Sequence, residues 1–168
     1  MIDGIRFAEL LDYNAEETQR WQQWFSAHPS ALDLRIDIAD AGTVRRLLVH
    51  IFSVEMHYAE AVNGTGGDLS ALQKRIETFS PADVRSLFAL SEEATAKFRE
   101  FCARATPEDY SKPLEFGSRI KVTATRRKLI TQALTHSMRH WAQLATALRQ
   151  QGLKSDWVHD FLLSKAME

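Results

Sequence analysis

Residues 125–152 read TRRKLITQALTHSMRHWAQLATALRQQG. Ile130, Leu134, Trp141, Leu144 and Leu148 recur in steps of three, four and seven, which trace one apolar stripe along an α-helix. Gly152 is well placed to cap its end. Three stretches upstream repeat this period. Phe7, Leu10, Leu11, Trp21, Trp24 and Phe25 form the first, which should stop near His28-Pro29 because a residue before proline is pushed out of helical geometry. Thr43 opens the second as an N-cap, and Val44, Leu47, Leu48, Ile51, Tyr58 and Val62 carry it to a break at Asn63-Gly64 and Gly66-Gly67. Ser80-Pro81-Ala82-Asp83 offers a cap, a first-turn proline and an early acid ahead of the third stripe, Val84, Leu87, Phe88, Phe98, Phe101 and Cys102.

The remaining segments read differently. Residues 30–42 have no period, and residues 65–79 read as a loop with a short helical turn. Thr106-Pro107 ends the third helix, after which YSKPLEFGSRIKVTAT, residues 110–125, alternates around Gly117 and predicts a small hairpin. A short last helix is expected from Ser155 or Asp156, carrying Trp157, Phe161 and Leu162. Together these predict an all-α fold, a four-helix bundle forming a single domain over residues 1–168 with a hairpin before its last long helix.

Composition narrows the function. The chain has 21 Lys and Arg against 22 Asp and Glu, a balance that argues against a nucleic-acid footprint. No apolar run approaches the roughly 18 residues of a membrane span, and Asp3, Arg6 and Glu9 disqualify the N-terminus as a signal peptide. The one cysteine, Cys102, excludes an intrachain disulfide and points to a reducing, cytoplasmic setting. Lying among phenylalanines, it reads as a small core residue, and Trp21, Trp24 and Trp141 also read as core. Arg119, Lys121, Arg126, Arg127 and Lys128 form a basic cluster that reads as a solvated helix start, with contact to an anionic substrate as the other reading.

Six histidines are a mild excess. His136 and His140 stand four apart, about 6 Å along the axis on one helical face, close enough to share a metal ion. The sequence His136-Ser137-Met138-Arg139-His140 lacks the glutamate of a zincin motif. At about 100° per residue, this pair falls beside Leu129, Ala133 and Leu144, and His50 falls likewise beside Leu47, Val54 and Ala61. All three sit at stripe margins, where they can face a cleft. Singly, each is an ordinary half-buried histidine; together they form a three-histidine set with an open position for zinc, nickel, iron or copper, and ligand type alone does not choose among these, although zinc or nickel is the expectation. His57 is expected in the pocket wall, and His28 and His159 on the solvated surface. Asn14, Thr18 and Glu55 fall inside apolar stripes. The plain reading is an interhelical hydrogen bond, for Glu55 to an arginine; the functional reading is a polar cavity near the bundle centre, with Glu55 accepting from a ligating histidine or transferring a proton.

The second helix, Thr43-Val44-Arg45-Arg46-Leu47-Leu48-Val49-His50-Ile51 followed by Glu55 and Tyr58, resembles the DinB family of four-helix-bundle metalloenzymes. So does the run His136-Ser137-Met138-Arg139-His140-Trp141-Ala142-Gln143-Leu144 leading through Leu148 to Gly152. The resemblance implies an up-down-down-up bundle in which His50, His136 and His140 hold a divalent metal. It further implies a thiol-dependent transferase or metal-dependent hydrolase acting on a small molecule, including a low-molecular-weight thiol, and a homodimer. The alternative is a non-catalytic homodimer with a structural or vestigial metal site.

Overall fold

The computed structural model describes residues 6–38, 41–64, 74, 78, 83–116 and 121–167. Four long helices carry it: α1 (Phe7–Ala27), α2 (Val44–Asn63), α3 (Val84–Arg104) and α5 (Arg126–Gln150). A short α4 (Pro107–Ser111) and a hairpin of β1 (Pro113–Phe116) and β2 (Val122–Thr125) separate α3 from α5. The hairpin pairs Pro113 with Thr125 and Phe116 with Val122; its turn at Gly117 lies outside the described residues.

Local chemistry sets the ends. The Thr43 hydroxyl accepts from the Arg46 amide, and Gly64 ends α2 in a left-handed conformation at φ +72°. At the end of α5, the Gly152 and Leu153 amides donate back to the carbonyls of Arg149 and Leu148, both at 3.0 Å, closing a Schellman turn. Two starts differ from the sequence reading. Asp83, with extended backbone, caps α3 by accepting from the Ser86 amide at 2.7 Å, so the acid expected inside the first turn is itself the cap; Ser80, Pro81 and Ala82 lie outside the described residues. Thr106-Pro107 ends one helix and also begins α4, since proline suits the first helical position as well as the end of the preceding helix.

The contacts define the topology. Asp12 meets Arg99 at 2.7 Å and Gln22 meets Glu92 at 3.4 Å, so α1 and α3 run antiparallel. Glu60 meets Lys97 at 3.1 Å and Asn63 meets Arg104 at 2.8 Å, so α2 and α3 run parallel. His50 and Glu55 face His140 and Ser137, so α2 and α5 run antiparallel. The bundle is therefore up-down-down-up, with α1 and α2 each packed against both α3 and α5. Its core is aromatic: Trp21 stacks on Trp141 at 5.9 Å, and Phe52 packs on Phe88 at 5.0 Å. Trp24 is buried with them.

The C-terminal segment is not the expected helix; beyond Leu153 the chain is irregular except for one 3₁₀ turn, Phe161–Leu163. Trp157 Nε1 donates to Glu17 Oε2 at 3.0 Å, and His159 Nδ1 bonds the other oxygen of the same carboxylate. Residues two apart point the same way from an extended chain and nearly opposite ways from a helix, so this double attachment to α1 excludes the helix.

Glu55 ties the bundle together. It is 3% exposed, and its carboxylate accepts from the other three long helices. Asn14 Nδ2 donates to Oε1 at 3.0 Å, Ser137 Oγ to the same oxygen at 2.7 Å, and Ser91 Oγ to Oε2 at 2.6 Å. Burial pushes the carboxyl pKa up, and the three donors oppose that shift. Replacing Glu55 with Ala leaves three buried donors without their acceptor and should cost about 3 kcal/mol in urea unfolding. Glu55→Gln keeps an acceptor for Asn14 and Ser137 and should cost no more than about 1 kcal/mol. Equal losses for the two variants would show that the hydrogen bonds contribute little.

Candidate metal centre

The histidines converge where α2 crosses α5. His50 Nε2 and His140 Nε2 each lie 3.1 Å from His136 Nε2, and the three nitrogens fall within 4.8 Å of one another. His136 and His140 are 6% and 2% exposed, while His50 is exposed at the open edge. Among the described residues no carboxylate or thiol joins this group.

Protons are placed by the surroundings. His140 Nδ1 lies 2.7 Å from Gln143 Oε1; an amide oxygen only accepts, so Nδ1 carries the proton and Nε2 offers its lone pair to the cluster. His136 Nε2 has a neighbouring ring nitrogen on both sides and can donate at most one proton, so hydrogen bonding alone satisfies only one of the two short contacts. A single cation satisfies both. Tetrahedral zinc–imidazole bonds of about 2.0–2.1 Å set their nitrogens about 3.3 Å apart, close to the spacing here. The donor set therefore fits one transition-metal ion. His136 Nδ1 is buried and, among the described residues, has no partner.

The imidazoles are held in their neutral form. Burial lowers the pKa of all three, taking His136 to about 3, with the His140 and His50 rings and Arg139 adding to that shift. Arg139 also lowers His50 and His140, whereas the bond to Gln143 works in the opposite direction on His140.

The other singled-out residues stand elsewhere. Among the described residues Glu55 meets neither an arginine nor a histidine; its partners are the neutral donors Asn14, Ser91 and Ser137, and Ser137 is next to His136 in the chain. Thr18 lines a separate cleft of about 240 Å³ between α1 and α3. His57 is half-buried, with its pKa lowered by burial, and does not join the converging nitrogens. His28 is exposed and stacks on Trp24 at 4.3 Å. His159 corrects the surface reading: it is half-buried, stacks on Trp21 at 5.2 Å, and bonds Glu17 and the Ser155 hydroxyl. Cys102 is half-buried, and burial raises its thiol pKa, which leaves it a poor nucleophile. Arg126 is not wholly solvated, since its guanidinium lies 5.8 Å above the Phe101 ring. Three participants escaped the sequence reading. Gln143 sits one turn past His140 on the same face, and Ser91 and Ser137 are small polar residues inside apolar stripes.

An antiparallel–parallel helical bundle with three inward-converging imidazoles at one seam is the class that fold and site define. The chain belongs to the DinB family, which it matches over residues 1–167. Among curated proteins none matches it.

Without metal, the histidines leave a pH signature. An unfolded imidazole takes its proton near 6.5, whereas His136 in the fold stays neutral down to about 3. Between those values the unfolded chain binds the extra proton, so this group makes stability fall as pH falls through that window. In chelator, the urea midpoint of wild type should drop more steeply between about pH 7 and 4 than that of His136→Gln. Parallel pH profiles would show that His136 is not held neutral.

Proposed function

We propose that this DinB-family protein binds one divalent metal ion, zinc or nickel, through Nε2 of His50, His136 and His140, and uses it in thiol-dependent transfer or hydrolysis of a small molecule. The observation that carries this reading is the pair of 3.1 Å separations between ring nitrogens, combined with a tautomer of His140 that presents a lone pair. Such an ion supplies Lewis acidity, which at an open position acidifies a thiol or a water molecule.

The chain's own residues provide the setting. Gln143 locks the His140 ring and its tautomer. Low imidazole pKa values keep the donors unprotonated at neutral pH, so the set is ready for a cation without first releasing protons. His50, exposed at the margin, leaves that side of the cluster open to an incoming molecule. Glu55, engaged by three donors, serves architecture and not proton transfer. The alternative, a non-catalytic homodimer with a structural or vestigial site, shares this ligand set and differs in whether a small molecule engages it.

Protein purified without a histidine tag should carry about one equivalent of transition metal by elemental analysis. His50→Ala combined with His136→Ala should remove the metal and lower Tm. A wild type without stoichiometric metal, together with a double variant of unchanged Tm, would sink the proposal. Gln143→Leu should keep the fold and weaken metal affinity by about 10–100-fold, measured by chelator competition. Unchanged affinity would mean that the His140 ring is oriented by its packing alone.

A further inference from the structure

From Arg35 onward, the connection between α1 and α2 is pinned beside α5. A bridge pairs Arg35 with Thr43, the Ile36 amide donates to the Gly42 carbonyl at 3.2 Å, and Gln151 Nε2 donates to the Arg35 carbonyl at 3.1 Å. Between residues 35–38 and the C-terminal half of α5 lies a cleft of about 620 Å³, a volume suited to a small molecule. Ile36, Ile38, Ala142 and Ala147 give it an apolar lining. Gln143 belongs to both the cleft and the histidine cluster, since it lines the one and holds His140 of the other.

Among the described residues, two guanidiniums line this cleft, those of Arg35 and Arg139, against one acid, Asp37. Four other arginines have carboxylate partners, Arg6 with Glu9, Arg20 with Glu16, Arg45 with Asp33 and Arg99 with Asp12; several more stand unpaired among the described residues, but Arg35 and Arg139 are the two that line this cleft. Among the described residues, the side chains of Arg35 and Arg139 make no ion pair or hydrogen bond. A guanidinium presents a planar fork of donors that matches a carboxylate or phosphate group, and here two such forks line one concave space with a single countercharge among the described residues.

We infer that the cleft binds the anionic end of the substrate: a small molecule bearing a carboxylate or phosphate group, held by Arg139 and Arg35, with its aliphatic part on the apolar lining and its reacting end toward the histidines. The orientation of the reacting end rests on the metal-site reading above. The anion site does not, because the arginines and the cleft are present without any ion.

Two probe sets separate these. Metal-free protein titrated with succinate and with inorganic phosphate, followed by amide NMR shifts, should respond at residues 35–38 and along the C-terminal half of α5. The stronger of the two ligands identifies the group preferred. Arg139→Gln and Arg35→Gln should each weaken that binding by about tenfold, and Arg139→Lys should recover part of it. On cobalt-loaded protein, mercaptosuccinate should perturb the visible spectrum at a concentration about tenfold or more below that needed for mercaptoethanol, and Arg139→Gln should bring the two together. Wild type that binds neither succinate nor phosphate, or arginine variants that bind them as wild type does, would overturn the anion site. Cobalt uptake accompanied by equal responses to the two thiols would overturn the link between cleft and histidines while leaving the metal site standing. Absence of cobalt uptake would count against the metal site, and the metal-free titration would still decide the cleft.

Discussion

A single buried carboxylate sets the register of this bundle. Glu55 sits on α2, which touches α1 only across the diagonal of the bundle, yet its two oxygens collect donors from α1, α3 and α5. Apolar stripes permit helices to slide by a turn at little cost, whereas an acid with specified donors on three neighbours does not. The histidine cluster inherits this precision. His50 precedes Glu55 by five residues, about 7.5 Å of helix, and His140 follows Ser137 by three, about 4.5 Å. Because α2 and α5 run antiparallel, the Glu55–Ser137 bond brings these displaced positions toward the same level, and the His136 ring reaches them so that its Nε2 lies 3.1 Å from each of the other two. A one-turn slip would break all three hydrogen bonds and move His50 about 5.4 Å from its partners.

Much of the fold is legible in the sequence because it is written locally. Thr43, Gly64 and Gly152 each act within one turn of their own position, and the breaks at His28-Pro29 and Thr106-Pro107 follow from the geometry of proline. The site is legible in part for a similar reason, since stripe margins are a property of each helix alone and two of the three histidines share a helix. Long-range pairing is not local. Glu17 meets His159 across 142 residues, so nothing in the periodicity of the last fourteen or so residues shows that α1 holds them in extended form. Glu17 does fall three residues after Asn14 and four before Trp21, in the apolar stripe of α1. A polar residue in a buried stripe announces a partner without naming it, and Glu55 illustrates the point: the need for partners was readable, their identity as serine and asparagine was not.

The two buried acids divide the molecule into regions of different purpose. Glu55 and Glu17 both satisfy their oxygens with neighbours from other elements, and neither reaches the converging imidazoles. Their oxygens are engaged in holding helices and the C-terminal segment in place. The histidine seam, in contrast, has imidazoles only among the described residues, and the charged group that acts on all three is the cation Arg139.

That segregation has an electrostatic consequence for any ion held there. Structural zinc sites built on thiolates, and catalytic sites that include a carboxylate, neutralise part of the ion's charge with their own ligands. Three imidazoles neutralise none of it, and Arg139 adds to the excess, so a divalent ion at this seam leaves an uncompensated charge of two or more at a margin half out of water. With no anionic side chain joining the histidines among the described residues, compensation for such an ion would have to come from a bound anion, as the thiolate, hydroxide or substrate acid group of the proposal would supply. The cleft next to the seam can hold Arg35 and Arg139 without ion-pair partners among the described residues at little cost, because both side chains are exposed and their guanidiniums stay hydrated.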